Sequence, residues 1–310
     1  MIKFFLLSFL FLVFSCKKNH ERASEAYSGE QEIEIHGHRG SRGTMPENTI
    51  QGFIAAINDS ADVLEMDVVI SNDKKVVVSH EAYMASKFVL LPNGNIIQPK
   101  DERKFNLYEM SYDSIQKFET GLKEDQGFPD QKKISTYKPL LSEVIDSVEE
   151  YIRNNEIAPV RYNIEIKSDP RDYKEYQPEP EEFVELVMKL IQSKNIENRY
   201  SIQSFDTNIL EILNEKYPKV PLVYLVYKPG ISNNLEQLSF VPDIYSPEYN
   251  LITTKAFVDT VKRKNMKLIP WTVNDSLAIK RMKSFGVDGI ISDYPNRVYN
   301  LLQNDISKKN

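Results

Sequence analysis

The chain has 310 residues, 41% hydrophobic and 27% charged, a composition that supports an ordinary globular core and argues against a disordered or low-complexity protein. A formal net charge of −6 argues against an electrostatically driven nucleic-acid binder, so no nucleic-acid partner is expected. A single cysteine leaves no disulfide framework, and no internal repeat is visible.

The chain opens with Lys3 and an apolar run from Phe4 to Phe14, broken only by Ser8. That run is too short to span a bilayer and has the form of a signal-peptide core. It ends in Val13-Phe14-Ser15-Cys16, with a small residue before the cysteine. The stretch resembles a bacterial lipoprotein signal, in which the cysteine is lipidated and becomes the new N-terminus. The expected organisation is a signal over 1–16 with lipidation at Cys16, a polar flexible tether over 17–31, and one domain over 32–310. The expected location is the cell envelope after export, on the periplasmic or surface side, with the membrane met through the lipid anchor.

Past residue 32, short apolar runs alternate with helical patterns. The runs cover 33–38, 63–69, 76–80, 162–167, 200–205, 221–227, 243–246, 267–272 and 289–292. Segments of 3.6-residue periodicity fall at 50–56, 141–152, 181–193, 207–216, 253–264 and 275–285. Repeated strand–helix alternation predicts a parallel sheet, and the count predicts a closed (β/α)₈ TIM barrel in the α/β class.

One run is surplus, and it marks an extra hairpin. Ser71-Asn72-Asp73-Lys74 are turn formers and too few for a parallel crossover. The second barrel strand therefore runs past the rim and folds straight back, which lays His80 beside Met66 and Asp67. Residues 82–139 then interrupt the alternation; their aromatics, Phe88, Phe105, Phe118 and Phe128 among them, predict an ordered lid inserted after the second strand.

Function in such a barrel sits at the C-terminal strand ends. His38 and Arg39 end the first strand; Glu65 and Asp67 share one face of the second, as do Glu165 and Lys167 later. Three converging carboxylates would repel unless a hard cation sat among them, and an all-oxygen set suits Mg²⁺, Ca²⁺ or Mn²⁺ rather than Zn²⁺. His38 and His80 suit general acid and base, since imidazole titrates near neutral pH. Arg39 and Lys167 supply positive charge for a phosphate group. Together the residues read as metal-assisted cleavage of a phosphate ester.

His38-Arg39-Gly40 followed by Pro46-Glu47-Asn48-Thr49 resembles the opening signature of glycerophosphodiester phosphodiesterases. Leu64-Glu65-Met66-Asp67-Val68, Val78-Ser79-His80, Asn163-Ile164-Glu165-Ile166-Lys167, Trp271-Thr272-Val273-Asn274 and Asp288-Gly289-Ile290-Ile291-Ser292-Asp293 match in the family's order. The resemblance implies a barrel of the phosphatidylinositol-phospholipase-C-like kind that hydrolyses small-molecule glycerophosphodiesters to glycerol 3-phosphate and an alcohol. It implies His38 and His80 as the acid–base pair, Glu65, Asp67 and Glu165 as ligands of one divalent cation, and Arg39, Lys167 and Trp271 as substrate contacts. Asn48 either helps the site or caps the helix after it. No obligatory protein partner is evident. The other readings are a phospholipase-D-like or cyclising lyase activity on larger phospholipids, and a catalytically silent cell-surface barrel. Two positions depart from the family pattern. Glu81 follows the second histidine in place of Asp, and His36 stands where an aliphatic residue is usual, with an expected role as an interior residue below the site.

Overall fold

In the computed structural model, which describes residues 33–306, the first element is strand β1 (Glu34–His38). The expected signal, Cys16 and tether lie outside the described residues. Helix α1 (Ile50–Asn58) follows, with Thr49 as its N-cap: the Thr49 hydroxyl accepts from Gly52 N at 3.0 Å. Strands β2 (Val63–Ile70) and β3 (Val76–Val78) pair antiparallel, with Val68 opposite Val78. The expected hairpin is present. Ser79 N still donates to Asp67 O at 3.0 Å, so His80 leaves the hairpin beside Met66 and Asp67.

The insertion contains the short helix α2 (Tyr112–Ile115) and ends at α3 (Leu141–Asn154). Beyond it the chain alternates: β4 (Arg161–Ile166), α4 (Pro180–Gln192), β5 (Tyr200–Ser204), α5 (Thr207–Lys216), β6 (Leu222–Val226), α6 (Ile231–Leu235), β7 (Ile244–Pro247), α7 (Lys255–Lys262), β8 (Lys267–Leu268), α8 (Ser276–Phe285), β9 (Gly289–Ser292) and α9 (Pro295–Ile306). No described helix is long and apolar enough to cross a membrane.

Eight strands pair in parallel in the order β8-β7-β6-β5-β4-β2-β1-β9, with β3 attached to β2. Single bonds bridge the remaining seam, from Asp288 N to Leu268 O at 2.9 Å and from Ile291 N to Pro270 O at 3.0 Å. The result is a nearly closed barrel of eight parallel strands. Strand β8 is shorter than the expected 267–272 because Pro270 has no N–H to give the ladder. Its neighbours bond one at a time, Ile269 N to Tyr245 O and Trp271 N to Pro247 O.

Two faces of the strands have different surroundings. Leu64, Met66, Ile164, Ile166, Ile202 and Leu222 face outward onto the helices, where they meet Phe53, Val144, Phe183, Leu213 and Met282 in the main core. Inside the barrel, Val223 on β6, Ile244 on β7, Ile269 just past β8 and Ile291 on β9 form an apolar cluster. Strands β1, β2, β4 and β5 instead bury His36, Glu65, Asp67, Asn163, Glu165 and Gln203. Buried charge on this scale is costly unless it is paired or holds an ion, so the polar half of the barrel is where function is expected. The insertion is ordered, as its aromatics predict. Met84, Phe88, Val89, Ile97, Leu107, Ile115 and Phe118 build a separate core seated on Val69 and Val77.

Candidate active site

The β1–α1 turn sets the first group of residues. Arg39 adopts a left-handed backbone (φ 50°), which turns its N–H onto Glu65 Oε2 at 2.9 Å. Gly40 follows at φ 87°, and a Cβ there would lie 2.6 Å from the Gly52 carbonyl carbon, so only glycine lets this turn rest on α1. The Arg39 guanidinium then reaches Glu47 through Nη1 at 3.0 Å and Asp67 through Nε at 3.2 Å. Nη2 takes part in neither contact. Asn48, also left-handed (φ 54°), donates Nδ2 to Asp67 Oδ2 at 2.8 Å and accepts from Asp67 N. Capping therefore falls to Thr49, and Asn48 serves the site.

Strand pairing places the carboxylates. Asp67 and Glu165 are register partners on β2 and β4, and Glu65 lies one inward position below Asp67. Oxygens of Glu65, Asp67 and Glu165 lie within 4.8 Å of one another, and all three residues are buried. Gln203 Nε2 donates to Glu65 Oε1 at 2.7 Å, and Lys167 Nζ pairs with Glu165 Oε1 at 2.7 Å. Burial, then the charges of Asp67 and Glu165, push the Glu65 carboxyl well above its ordinary range. Burial raises Glu165 as well. Asp67 goes the other way despite its burial, because Arg39, His80, Lys167 and Asn48 hold it far down. Burial and the two neighbouring carboxylates together disfavour a further negative charge at Glu65. Three hard oxygen donors fit a divalent cation such as Ca²⁺, Mg²⁺ or Mn²⁺.

Each histidine has its own acidic partner. His38 Nδ1 lies 2.6 Å from Asp293 Oδ1, and Asn274 Nδ2 donates to the other Asp293 oxygen at 2.6 Å. Asp293 is held down at about 2 against burial by His38 and Arg42, so it is ionised and can only accept. Nδ1 of His38 therefore carries the proton, which leaves Nε2 without one in the neutral ring. Burial lowers the His38 pKa, and Asp293 opposes that shift. His80 Nδ1 lies 2.9 Å from Glu81 Oε1, which frees its Nε2 in the same way. The longer Glu81 folds back onto its own neighbour.

His36 sits below the site on the same face of β1, with Nε2 3.4 Å from Glu34 Oε2. Glu34 also binds Arg161 and Lys267, so the His36 cluster belongs to the far end of the barrel. Trp271 donates Nε1 to Ser246 O at 2.9 Å and meets Phe205 edge-on at 5.5 Å. Lys167 Nζ lies 5.8 Å from the same Phe205 ring, so one aromatic links the two expected substrate contacts. His38, Arg39, Glu65, Asp67, His80, Glu165 and Lys167 thus lie at one rim, whereas His36 lies below it. Missing from the sequence reading were the partners: Asp293, Asn274, Glu47 and Gln203. The first three lay within matched motifs, and Gln203 could have been found from alternation along β5.

The family model for the glycerophosphoryl diester phosphodiesterase family matches residues 38–297, which takes in the whole of this rim. The chain belongs to that family. Among its relatives is the glycerophosphodiester phosphodiesterase of Caldanaerobacter subterraneus subsp. tengcongensis, 28% identical over 86% of this chain and 96% of the relative. A solved structure from Silicibacter pomeroyi DSS-3 with the same family assignment is 27% identical, with a TM-score of 0.80 over 89% of this chain and 95% of that one. An Oleispira antarctica phosphodiesterase, solved in complex with the product sn-glycerol-3-phosphate, shares the fold at a TM-score of 0.68 and 20% identity, over 87% of this chain and 96% of that one. The chain is thus a phosphodiesterase of the barrel type that its strand–helix alternation predicts. The matched motifs fall on β1 and the turn after it, on β2, at the end of β3, on β4, after β8 and on β9.

Proposed function

We propose that this phosphodiesterase hydrolyses glycerophosphodiesters to glycerol 3-phosphate and an alcohol, using one divalent cation and the His38–His80 pair. The observation that carries the reading is the cluster of Glu65, Asp67 and Glu165 within 4.8 Å on β2 and β4, with β1 paired to β2 at Glu65 and the hairpin that leads to His80 bonded to β2 at Asp67. A cation held there would polarise the phosphoryl oxygens. Arg39 Nη2 and Lys167 Nζ are the groups of this chain suited to grip the phosphate. His38, with Nδ1 fixed by Asp293, and His80, with Nδ1 fixed by Glu81, each present Nε2 for one proton transfer. One takes the proton of the attacking hydroxyl, and the other protonates the departing alkoxide. Trp271 and Phe205 offer an apolar wall beside Lys167 for the organic part of the substrate. Phosphorus NMR on glycerophosphocholine should show its resonance replaced by that of glycerol 3-phosphate. A stable cyclic phosphate as the end product, or no turnover of any glycerophosphodiester, would overturn the reading.

The envelope location is a separate part of the proposal and rests on the Val13-Phe14-Ser15-Cys16 pattern alone. The wild-type protein is expected to fractionate with membranes and Cys16→Ser with the soluble fraction. Recovery of the wild type as a soluble protein would contradict the anchor.

A further inference from the structure

Lys138, near the end of the insertion, is only 5% exposed, a costly place for a lysine. Its Nζ donates to Ser79 Oγ at 2.8 Å and lies 5.5 Å from the Phe88 ring centroid. Ser79 is fully buried and passes the contact on, donating Oγ to the Glu81 carbonyl at 2.6 Å. The residue between Ser79 and Glu81 is His80. Backbone bonds fix both sides of this arrangement: Val78 N donates to Pro139 O at 2.8 Å, and Ser79 N donates to Asp67 O at 3.0 Å. The three-residue turn carrying His80 is therefore gripped by β2 on one side and by Lys138 on the other.

The charges agree with this geometry. Glu81 gives Oε1 to His80, and its Oε2 is buried without a hydrogen-bond partner. An orphaned carboxylate oxygen needs a nearby positive charge. Although burial opposes its ionisation, Glu81 is held at about 2 by the His80 bond and by the charges of His80, Lys138 and Arg39. Burial in turn pulls the Lys138 ammonium down, and Glu81, Glu47 and Asp67 oppose that pull. A lysine that merely filled space would have no reason to sit among these groups.

We propose that Lys138 is a positioning residue for His80: it fixes the Ser79–Glu81 turn by its hydrogen bond and balances the Glu81 carboxylate that orients the imidazole. The inference rests on the reading that His80 transfers a proton in the reaction. Lys138 itself touches no reacting atom.

The test uses the full-length enzyme with glycerophosphocholine and measures kcat, KM and the melting temperature of each variant. Lys138→Met keeps the length of the side chain and removes its charge and donor; kcat should fall by about ten- to a hundredfold with KM changed by less than about threefold. Lys138→Arg, which keeps a cation and a donor, should recover a large part of the loss. Ser79→Ala, which removes a single oxygen, should also lower kcat. In a His80→Ala background, Lys138→Met should add less than about a twofold effect, because residues that act as a unit are not additive. A folded Lys138→Met or Ser79→Ala enzyme with wild-type kcat would overturn the proposal. So would a rise in KM alone, which would make Lys138 a substrate contact, or a full additive loss in the His80→Ala background. His80→Ala with near-normal turnover is a separate result: it removes the proton-transfer reading, and this inference with it.

Discussion

Glu65→Gln, Asp67→Asn and Glu165→Gln should each lower turnover at least about a hundredfold while leaving the barrel folded. The argument starts from the apo electrostatics. Burial and two neighbouring carboxylates already push Glu65 upward, so a neutral isostere relieves repulsion in the cation-free protein. Glu65→Gln gives up one of the two hydrogen bonds that Glu65 accepts, from Arg39 N and Gln203 Nε2, which offsets that relief, so it should melt close to wild type in EDTA. The wild type should gain stability on addition of Ca²⁺, Mg²⁺ or Mn²⁺, by about 2.7 kcal/mol at a hundredfold excess over Kd. Glu65→Gln should lose most of that gain. A variant that lost activity by unfolding would show the opposite pattern, a lower melting temperature in EDTA. Thermal melts with and without cation, beside steady-state kinetics, separate the two cases.

The second large effect is expected at the His38–Asp293 pair. His38→Ala should lower kcat by at least about a hundredfold, the usual scale for losing a general acid or base. Asp293→Asn is the more informative change. It keeps the size of the side chain but no longer demands the proton on Nδ1, so the ring can adopt the tautomer whose Nε2 is blocked. The expected result is a fall in kcat of about tenfold or more with KM little changed. Stability gives an independent reading. The folded pKa of Asp293 is held down at about 2, below its ordinary value. Its contribution is thus present above about pH 4 and disappears as the pH falls towards 2. Asp293→Asn should flatten acid unfolding in that window. Turnover of Asp293→Asn within about twofold of wild type would mean that the carboxylate does not orient the catalytic ring.

The sequence carried the barrel well because its strands obey simple periods. A run such as Val63–Ile70 is buried on both faces, and the helices between runs show clean 3.6-residue stripes. The hairpin was legible because four turn formers forbid a crossover, and with it came the position of His80. The carboxylate trio followed from alternation along β2 and β4. What the sequence hid were contacts between residues far apart in the chain. Asp293 meets His38 across 255 positions, and Gln203 meets Glu65 across 138, through ring closure that no local pattern encodes. The end of β8 was hidden for a different reason: Pro270 sits inside an apolar run that otherwise reads as strand. Asn48 shows a third limit. Its left-handed backbone, which turns the side chain from the helix towards Asp67, depends on the Arg39 and Gly40 turn packed against α1.

The claim on which the rest depends is that Glu65, Asp67 and Glu165 hold a cation the reaction needs. The most direct test is the turnover of glycerophosphocholine by purified wild-type enzyme in excess EDTA, followed by re-addition of Ca²⁺, Mg²⁺ or Mn²⁺ beyond the chelator. Release of glycerol 3-phosphate should fall to background in EDTA and return with at least one of the three ions. Undiminished release throughout the EDTA treatment would contradict the account.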